Sequence, residues 1–346
     1  MKNKLRIIFF AVTVLCYGSV LVSPDIFWLS GFFALAIPLV ILVHFVFLLF
    51  NTRKLKAGFF YHLIMIALGF IFIKVSYALS LGNDTGKLKV LSYNVRVFNN
   101  YATLKNEGYA SSKKMVAWSV ENDAPVKCFQ EYYNNDKSDI FDVKKRLSKA
   151  GWKHQHFKIV LQDRAKAEFG IAIFSKLPIV HRGEVLSSSG DFLNTIFADI
   201  IVGNDTVRIY NTHLESMSID ENNVVDTDRL AKSYKDTGVR LRKGFISRAR
   251  QVKALTASIA QCRHKTILCG DLNELPYSYP YFALRGHLNN AFEKAGTGFG
   301  FTYNGKLFFL RIDNQFFSDQ IEINSFVTHR TVDYSDHFPL TASYSW

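Results

Sequence analysis

The sequence predicts a layered α/β fold in which two β-sheets pack together and are covered by helices. From Lys87 onward, short apolar runs typical of buried strands alternate with helical patterns, and the alternation occurs in two successive halves. Neither internal repeats nor low-complexity tracts interrupt this part of the sequence. Its length suits a single domain.

The first half opens with a strand, helix, strand unit. Residues 89–94 and 127–130 are apolar strand candidates on either side of a helical pattern at 113–120. Further along, apolar residues alternate from 196 to 202, and a polar turn returns the chain through 207–210. This pattern predicts a β-hairpin.

The second half repeats the plan in outline. A long polar, helical stretch at residues 222–261 leads into an apolar strand at 266–269. Late strands are predicted at residues 308–317, 322–328 and 340–344.

The first 82 residues have a different composition, which is typical of a membrane region. Apolar runs cover residues 5–22, 26–50 and 59–81, each near the roughly 20 residues that a helix needs to cross the hydrocarbon core. We therefore predict three transmembrane helices within residues 1–82, followed by a folded domain at 83–346.

Two alternatives to three spans are weaker. The first run resembles a secretory signal peptide because Lys2, Lys4 and Arg6 precede it, but the second run starts after only a short link at 23–25. Buried helices of a globular protein would show a polar face, which the three runs lack.

Cations near the apolar runs predict the orientation of the chain. One set precedes the first run, and a second set lies between the second and third runs. Positive residues favour the cytoplasmic side, so three crossings leave residues 83–346 on the non-cytoplasmic side of the cell membrane. The two sets are Lys2, Lys4 and Arg6, and Arg53, Lys54 and Lys56.

The net charge of +13 limits the kinds of molecule that could bind the protein only in part. Without residues 1–85 the chain keeps 35 cations and 27 anions, a net charge of +8. This excess suits a polyanion, a phosphate monoester or an anionic lipid surface, and ordinary solubility explains it equally well. The four cysteines, Cys16, Cys128, Cys262 and Cys269, show neither metal-ligand spacing nor a disulfide framework.

Polar residues follow the strand at 266–269. Asp271 and Asn273 are two residues apart, so an extended chain points both side chains to the same side. Asp271 is then placed to align an attacking water, and Asn273 to hold a phosphoryl oxygen, as hydrolysis of an anionic phosphoester requires. An Asx turn after the strand is the plain alternative.

Further candidates lie at other strand ends. The carboxylate of Glu131 suits a hard divalent cation, and the amide of Asn94 suits a metal-bound water or a phosphate oxygen. Asp336 is a second candidate metal ligand, and His337 is a candidate acid or base. Each residue alone is more often an ordinary loop or surface residue.

Five segments in a fixed order carry more information than any one of them, and together they resemble the endonuclease/exonuclease/phosphatase superfamily. The resemblance implies a four-layer α-β-β-α sandwich and cleavage of phosphoesters with a divalent metal, usually Mg²⁺ and otherwise Mn²⁺. The segments are Ser92-Tyr93-Asn94, Phe129-Gln130-Glu131, Asn211-Thr212-His213-Leu214, Gly270-Asp271-Leu272-Asn273 and Ser335-Asp336-His337.

The resemblance also assigns roles. It places Asn94 beside the metal and the phosphate, and it makes Asp313 the residue that orients His337 by accepting a hydrogen bond. His213 is similar to a histidine of DNase I-type and sphingomyelinase-type enzymes and is expected to protonate the leaving oxygen. In the family, Tyr often follows the residue that corresponds to Asp313, whereas this sequence has Asn314. This departure leaves the carboxylate intact but puts in doubt whether the wall of the pocket is the same as in the family. Catalytic roles thus fall to His213, Asp271, Asn273, Asp313 and His337, substrate binding to Asn94 and Asn273, and metal binding to Glu131, Asp336 and Asn94.

The sequence therefore predicts a membrane-tethered, divalent-metal-dependent phosphoesterase whose catalytic domain lies outside the cytoplasm. A nuclease on the same face and a non-catalytic module that binds phosphorylated ligands are the alternatives. The expected partners are the lipid bilayer and a phosphate-ester substrate, which is a lipid headgroup, a nucleic acid or a small phosphoester. Arg248 and Arg250 are placed to reach a substrate phosphate, but solvated helix-face arginines are more common. The sequence sets no oligomeric state.

Overall fold

The computed structural model describes residues 2–51, 57–80, 82–83, 85–101, 108–162, 166–186, 194–217 and 227–346. The helices are α1 (Lys2–Ser19), α2 (Leu29–Leu35), α3 (Ile37–Asn51), α4 (Ala57–Leu68), α5 (Phe70–Ser76), α6 (Ala110–Glu121), α7 (Val143–Lys149), α8 (Thr227–Gln261), α9 (Tyr279–Arg285) and α10 (Ala291–Ala295). A short helical turn covers Arg96–Asn99.

The strands are β1 (Ala78–Leu79), β2 (Leu88–Asn94), β3 (Val126–Asn134), β4 (His154–Gln162), β5 (Glu168–Ser175), β6 (Ile179–Glu184), β7 (Asn194–Val202), β8 (Asp205–His213), β9 (Lys265–Asp271), β10 (Asn289–Asn290), β11 (Thr297–Gly298), β12 (Asp313–Phe317), β13 (Glu322–Thr328) and β14 (Leu340–Ser345).

Two six-stranded mixed sheets form the centre of the folded domain. The first has the order β13-β14-β2-β3-β5-β4, and the second has the order β10-β12-β9-β8-β7-β6. Each sheet contains one parallel pair, β2 with β3 and β8 with β9, and antiparallel neighbours around it. The prediction of an α/β fold with two packed sheets is confirmed.

Successive side chains of a strand point to opposite faces of the sheet, and this alternation explains how the layers pack on each other. In β2, Val90 points into the core between the sheets, whereas Leu91 and Tyr93 face the outer cluster beneath α6 and α7. In β9, Cys269 likewise faces the inner core, and Leu268 faces the cluster beneath α8 and α9. The layers therefore follow the order helix, sheet, sheet, helix.

The late strand prediction was partly wrong. Residues 308–317 were expected to form one strand, but β12 begins only at Asp313. The carbonyl of Leu310 accepts hydrogen bonds from the backbone amides of Thr302 and Tyr303, which closes a loop. Phe308 and Phe309 are exposed on this loop. Apolar composition alone did not separate exposed loop residues from the buried strand that follows.

The N-terminal region consists of α1 and two bent helix pairs. By length and composition, none of the helices in the described residues suffices alone to cross a bilayer. The pairs Leu29–Leu35 with Ile37–Phe50 and Gly58–Leu68 with Phe70–Ser76, bent by 43° and 44°, each pass the same test as a unit. The prediction of three transmembrane helices is thus not supported, because none of the described helices is long and apolar enough to form a span by itself. Arg53, Lys54 and Lys56, used for the orientation, lie outside the described residues.

The N-terminal region also packs directly on the folded domain. β1 pairs with β11 in an antiparallel ladder, and the carbonyl of Val75 accepts a hydrogen bond from Arg311 Nη2 at 2.5 Å. Asp25 forms an ion pair with Lys253 on α8 at 2.8 Å. The predicted domain boundary after residue 82 therefore joins two regions that are already in contact.

Candidate active site

The carboxyl ends of the two parallel strand pairs meet at one edge of the sandwich. Asn94 ends β2 and lies beside Gln130 of β3, the residue before Glu131. His213 ends β8 and is in register with Asp271, which ends β9. Asp313 begins β12 directly opposite Asp271. Strand topology thus brings together residues that are far apart in the sequence.

Asp271 lies at the centre of this group and is buried. Asn94 Nδ2 donates a hydrogen bond to its Oδ2 at 3.1 Å, and the backbone amide of Asn273 donates to its Oδ1 at 2.8 Å. The Nε2 atoms of His213 and His337 lie 3.7 and 3.8 Å from Oδ2. The carboxylate therefore stands between two imidazoles that can exchange protons with a substrate or a water.

The backbone before Asp271 requires glycine. Gly270 has φ +155°, and a Cβ atom on it would lie 2.0 Å from the carbonyl oxygen of Thr212. Only glycine allows this close approach of β9 to β8. The glycine of this segment therefore sets the spacing that places Asp271 beside His213.

His337 and Asp313 form a buried pair. His337 Nδ1 lies 2.8 Å from Asp313 Oδ2, and the backbone amide of Asp313 donates to Thr302 Oγ1 at 3.1 Å. Burial alone would lower the pKa of His337, but the carboxylates of Asp313 and Asp271 reverse the effect and raise its pKa to about 10. His337 is therefore a cationic hydrogen-bond donor at neutral pH, suited to contact phosphoryl oxygens.

Glu131 reaches the cleft through an irregularity in β3. The pairing of β3 with β5 shifts register between Phe129 and Tyr132, and Glu131 has φ +49°. Its Oε1 accepts a hydrogen bond from Asn94 Nδ2 at 3.2 Å and lies 3.9 Å from His213 Nε2. A β-bulge beside a site re-aims a side chain, and a non-glycine residue in this conformation costs about 1 to 3 kcal/mol.

Asn273 makes a contact that its sequence position did not indicate. Its Nδ2 donates to the carbonyl of Leu214 at 3.0 Å, and its own φ is +49°. The side chain therefore ties the loop after β9 to the loop after β8. The expected contact of Asn273 with a phosphoryl oxygen stays a prediction.

Asp336, the second predicted metal ligand of the carboxylate type, lies among other partners. Its Oδ2 is 3.2 Å from Arg96 Nε, and its Oδ1 is 3.2 Å from Ser335 Oγ. In the described part of the chain, the His, Cys, Asp and Glu residues placed to share one metal ion are Asp271, Asp313 and His337, whose ligand atoms lie within 4.8 Å of one another.

Several residues of the site received no role from the sequence. Arg96 faces Asp336, and the ring of Tyr303 packs edge-on against His337 with centroids 5.4 Å apart. Asn211 ties the two sheets together, because its Nδ2 donates to the carbonyls of Phe129 and Ala172 at 3.0 and 2.9 Å. Asn211 follows the strand-like run at 207–210 and belongs to the segment Asn211-Thr212-His213-Leu214, which was the available signal for it.

The sequence favoured a solvated position for Arg248 on a helix face, but the structure places it in the interior. It is fully buried, its Nε and Nη2 lie 2.9 Å from Glu274 Oε1, and its Nη1 donates to the carbonyl of Glu215 at 2.8 Å. Glu274 follows Asn273, and Glu215 follows Leu214. Arg248 thus holds the same two loops that Asn273 connects, from the side of α8.

Comparison with known proteins agrees with this geometry. A family model described as "Endonuclease/Exonuclease/phosphatase family" matches residues 91–337, and a "Domain of unknown function (DUF8431)" matches residues 4–76. The search of curated protein sequences gave no match.

Several solved structures share the fold. An endonuclease/exonuclease/phosphatase from Beutenbergia cavernae is 15% identical, with TM-score 0.52 over 75% of this chain and 71% of that one. Mannosyl-6-phosphatase from Bacteroides thetaiotaomicron is 16% identical, with TM-score 0.51 over 75% and 100%. The human Nocturnin catalytic domain is 15% identical, with TM-score 0.52 over 77% and 95%.

The structural likenesses show the fold, and the family model covers most of the sequence, including each of the strand ends described above. The chain belongs to the endonuclease/exonuclease/phosphatase family, whose members are generally hydrolases that act on phosphoesters.

Proposed function

We propose that the chain is a divalent-metal-dependent phosphoesterase that hydrolyses phosphodiester or phosphomonoester bonds. One observation carries the proposal: the buried carboxylate of Asp271 lies between the imidazoles of His213 and His337. Asn94 connects the same carboxylate to Glu131. A site that only binds phosphate has no need of a buried carboxylate at its centre, since the carboxylate repels the ligand.

The donor set fits a hard cation such as Mg²⁺ or Mn²⁺. Oxygen ligands are those that these ions prefer, and Glu131 and Asp271 present carboxylates on either side of Asn94. We propose Glu131 and Asn94 as holders of the cation, with Asp336 as a further ligand. When bound, the ion would supply charge neutralisation at the phosphoryl group.

Each of the remaining site residues has a separate role in the proposed hydrolysis. Asp271 is placed to orient the attacking water, and His213 is placed to give a proton to the leaving oxygen. His337 is held by Asp313 with its Nε2 towards Asp271. As a cation it would donate to the phosphoryl oxygens while their charge increases in the transition state.

We also propose that the N-terminal helices anchor the protein in the cell membrane, with the folded domain on the non-cytoplasmic side. The two bent helix pairs have suitable length and composition. The link between the first two predicted spans contacts the folded domain through Asp25, and the end of α5 contacts it through Val75. Three crossings place both of these segments on one side. Anchoring favours a lipid headgroup as substrate over nucleic acid or a soluble ester, through local concentration.

The test is hydrolysis by the purified full-length protein with Mg²⁺, measured on phospholipids, plasmid DNA and phosphate monoesters, with and without chelator. Substitution of Asp271 by Ala should reduce turnover at least about 100-fold, because the water loses its orienting group. Full turnover by this variant, or activity that persists after chelation, would remove the assignment. Phosphate-ligand binding without turnover would indicate the non-catalytic alternative.

A further inference from the structure

A short loop beside the active site exposes three phenylalanines. Phe299, Phe308 and Phe309 are 53%, 65% and 52% exposed, and all lie in residues 299–310, between β11 and β12. Isolated exposed apolar residues are ordinary, but a group of large ones marks a surface that contacts another apolar phase or partner. We call residues 299–310 the Phe loop.

Other residues of the Phe loop contact the catalytic residues. The ring of Tyr303 packs against His337, and Thr302 Oγ1 accepts the backbone amide hydrogen of Asp313. The backbone amide of Asn304 donates to the carbonyl of Asp336 at 2.7 Å. Whatever the exposed phenylalanines contact therefore lies close to the place where a phosphoester would be cleaved.

The Phe loop is continuous with the apolar helices. Tyr77, the residue after α5, packs against Phe299 with ring centroids 5.0 Å apart. A cavity of about 200 Å³ extends from the helices to the loop and is lined by apolar residues that include Ile41, Ile73, Tyr77 and Phe299. If α5 is the outer half of a membrane span, Tyr77 and Phe299 lie at the membrane–water interface, where aromatic side chains are enriched.

We propose that the Phe loop rests on the bilayer surface beside α5, with Phe299, Phe308 and Phe309 among the lipid headgroups. The active site then faces the same leaflet that anchors the protein, and its substrate is a phosphoester carried by a membrane lipid. This inference rests on the membrane anchoring of the proposed function.

The experiment is photo-crosslinking in the full-length protein, reconstituted into vesicles of phosphatidylethanolamine and phosphatidylglycerol that carry a traceable label. A benzophenone amino acid replaces one residue at a time: Phe308 in the loop, Phe60 on α4 as the membrane reference, and Val180 as the control. Val180 is an exposed apolar residue on β6, the edge strand of the second sheet that is separated from β12 by three strands. Retained phosphoesterase activity or an unchanged thermal transition checks that each protein is folded.

Lipid labelling at positions 60 and 308 but not at 180 supports the proposal. Labelling at 60 without labelling at 308 overturns the surface contact and leaves the anchor intact. Absence of labelling at 60 overturns the anchor itself, and the surface contact with it. Chelator-sensitive turnover is measured separately, so the catalytic assignment can survive either failure.

Discussion

The active site and the N-terminal region depart in opposite ways from the usual distribution of residues. In the site, charged side chains such as Asp271, Asp313 and Arg248 are buried, and each has polar partners within hydrogen-bonding distance. In the N-terminal helices, large apolar side chains such as Leu39 and Ile64 are exposed. Buried charge requires preorganised partners, whereas a large exposed apolar surface marks contact with a membrane or with another protein.

Among the buried charged residues, we expect the largest loss of stability from a substitution of Arg248. Its replacement by Gln leaves Glu274 without its buried counter-charge, so we expect a loss of about 3 to 5 kcal/mol in the free energy of unfolding. Denaturant or thermal unfolding in detergent would measure it. Lys243→Gln is the control, because Lys243 lies on the same helix but is exposed, and a change within about 0.5 kcal/mol is expected there. Equal effects at both positions would contradict the role given to the buried arginine.

On the apolar side, Ile64→Asp tests whether the exposed face of α4 meets lipid. A charge in the middle of a span costs about 2.5 to 3.5 kcal/mol of insertion free energy, so the membrane-inserted fraction should fall. Val180→Asp, an exposed apolar position on the folded domain, should leave that fraction unchanged. Glycosylation mapping of inserted chains provides the measurement, and an unchanged fraction for Ile64→Asp would speak against a span at α4 and α5.

The third prediction concerns the dependence of stability on pH. The pKa of His337 is raised from the ordinary 6.5 to about 10 in the folded protein, so the pair with Asp313 stabilises the fold fully below about pH 6.5. This contribution declines between about pH 6.5 and pH 10, because the unfolded chain releases the proton in this range while the folded protein still holds it, and it is lost once the folded protein also releases the proton near pH 10.

Thermal unfolding of the metal-free protein between pH 6 and 10 would measure this decline. The curve of a His337→Gln variant should be flatter than that of the unchanged protein. The difference between the two curves cancels groups common to both, such as Lys127, whose pKa burial and the nearby Lys176 lower to about 7. Parallel curves would mean that His337 is not protonated as described.

Much of the fold and the grouping of the site followed from the sequence, since strands have a short period and end at recognisable polar residues. Asn94, His213 and Asp271 are the last residues of their strands, and parallel pairing brings these ends to one edge. The roles assigned to them by resemblance remain predictions.

Other features depended on tertiary contacts that no local pattern encodes. The bulge at Glu131 places a non-glycine residue at positive φ, and the burial of Arg248 depends on where Glu274 folds. The pairing of Asp336 with Arg96 joins residues from opposite ends of the domain. Neither composition nor periodicity contains these distances.

The ladder between β1 and β11, together with the hydrogen bond from Arg311 to Val75, has a consequence for how the protein meets its substrate. These contacts hold the folded domain directly against the N-terminal region. Under the proposed anchoring, encounters are governed by lateral diffusion within the plane of the membrane. Turnover should then follow the surface density of the substrate rather than its bulk concentration.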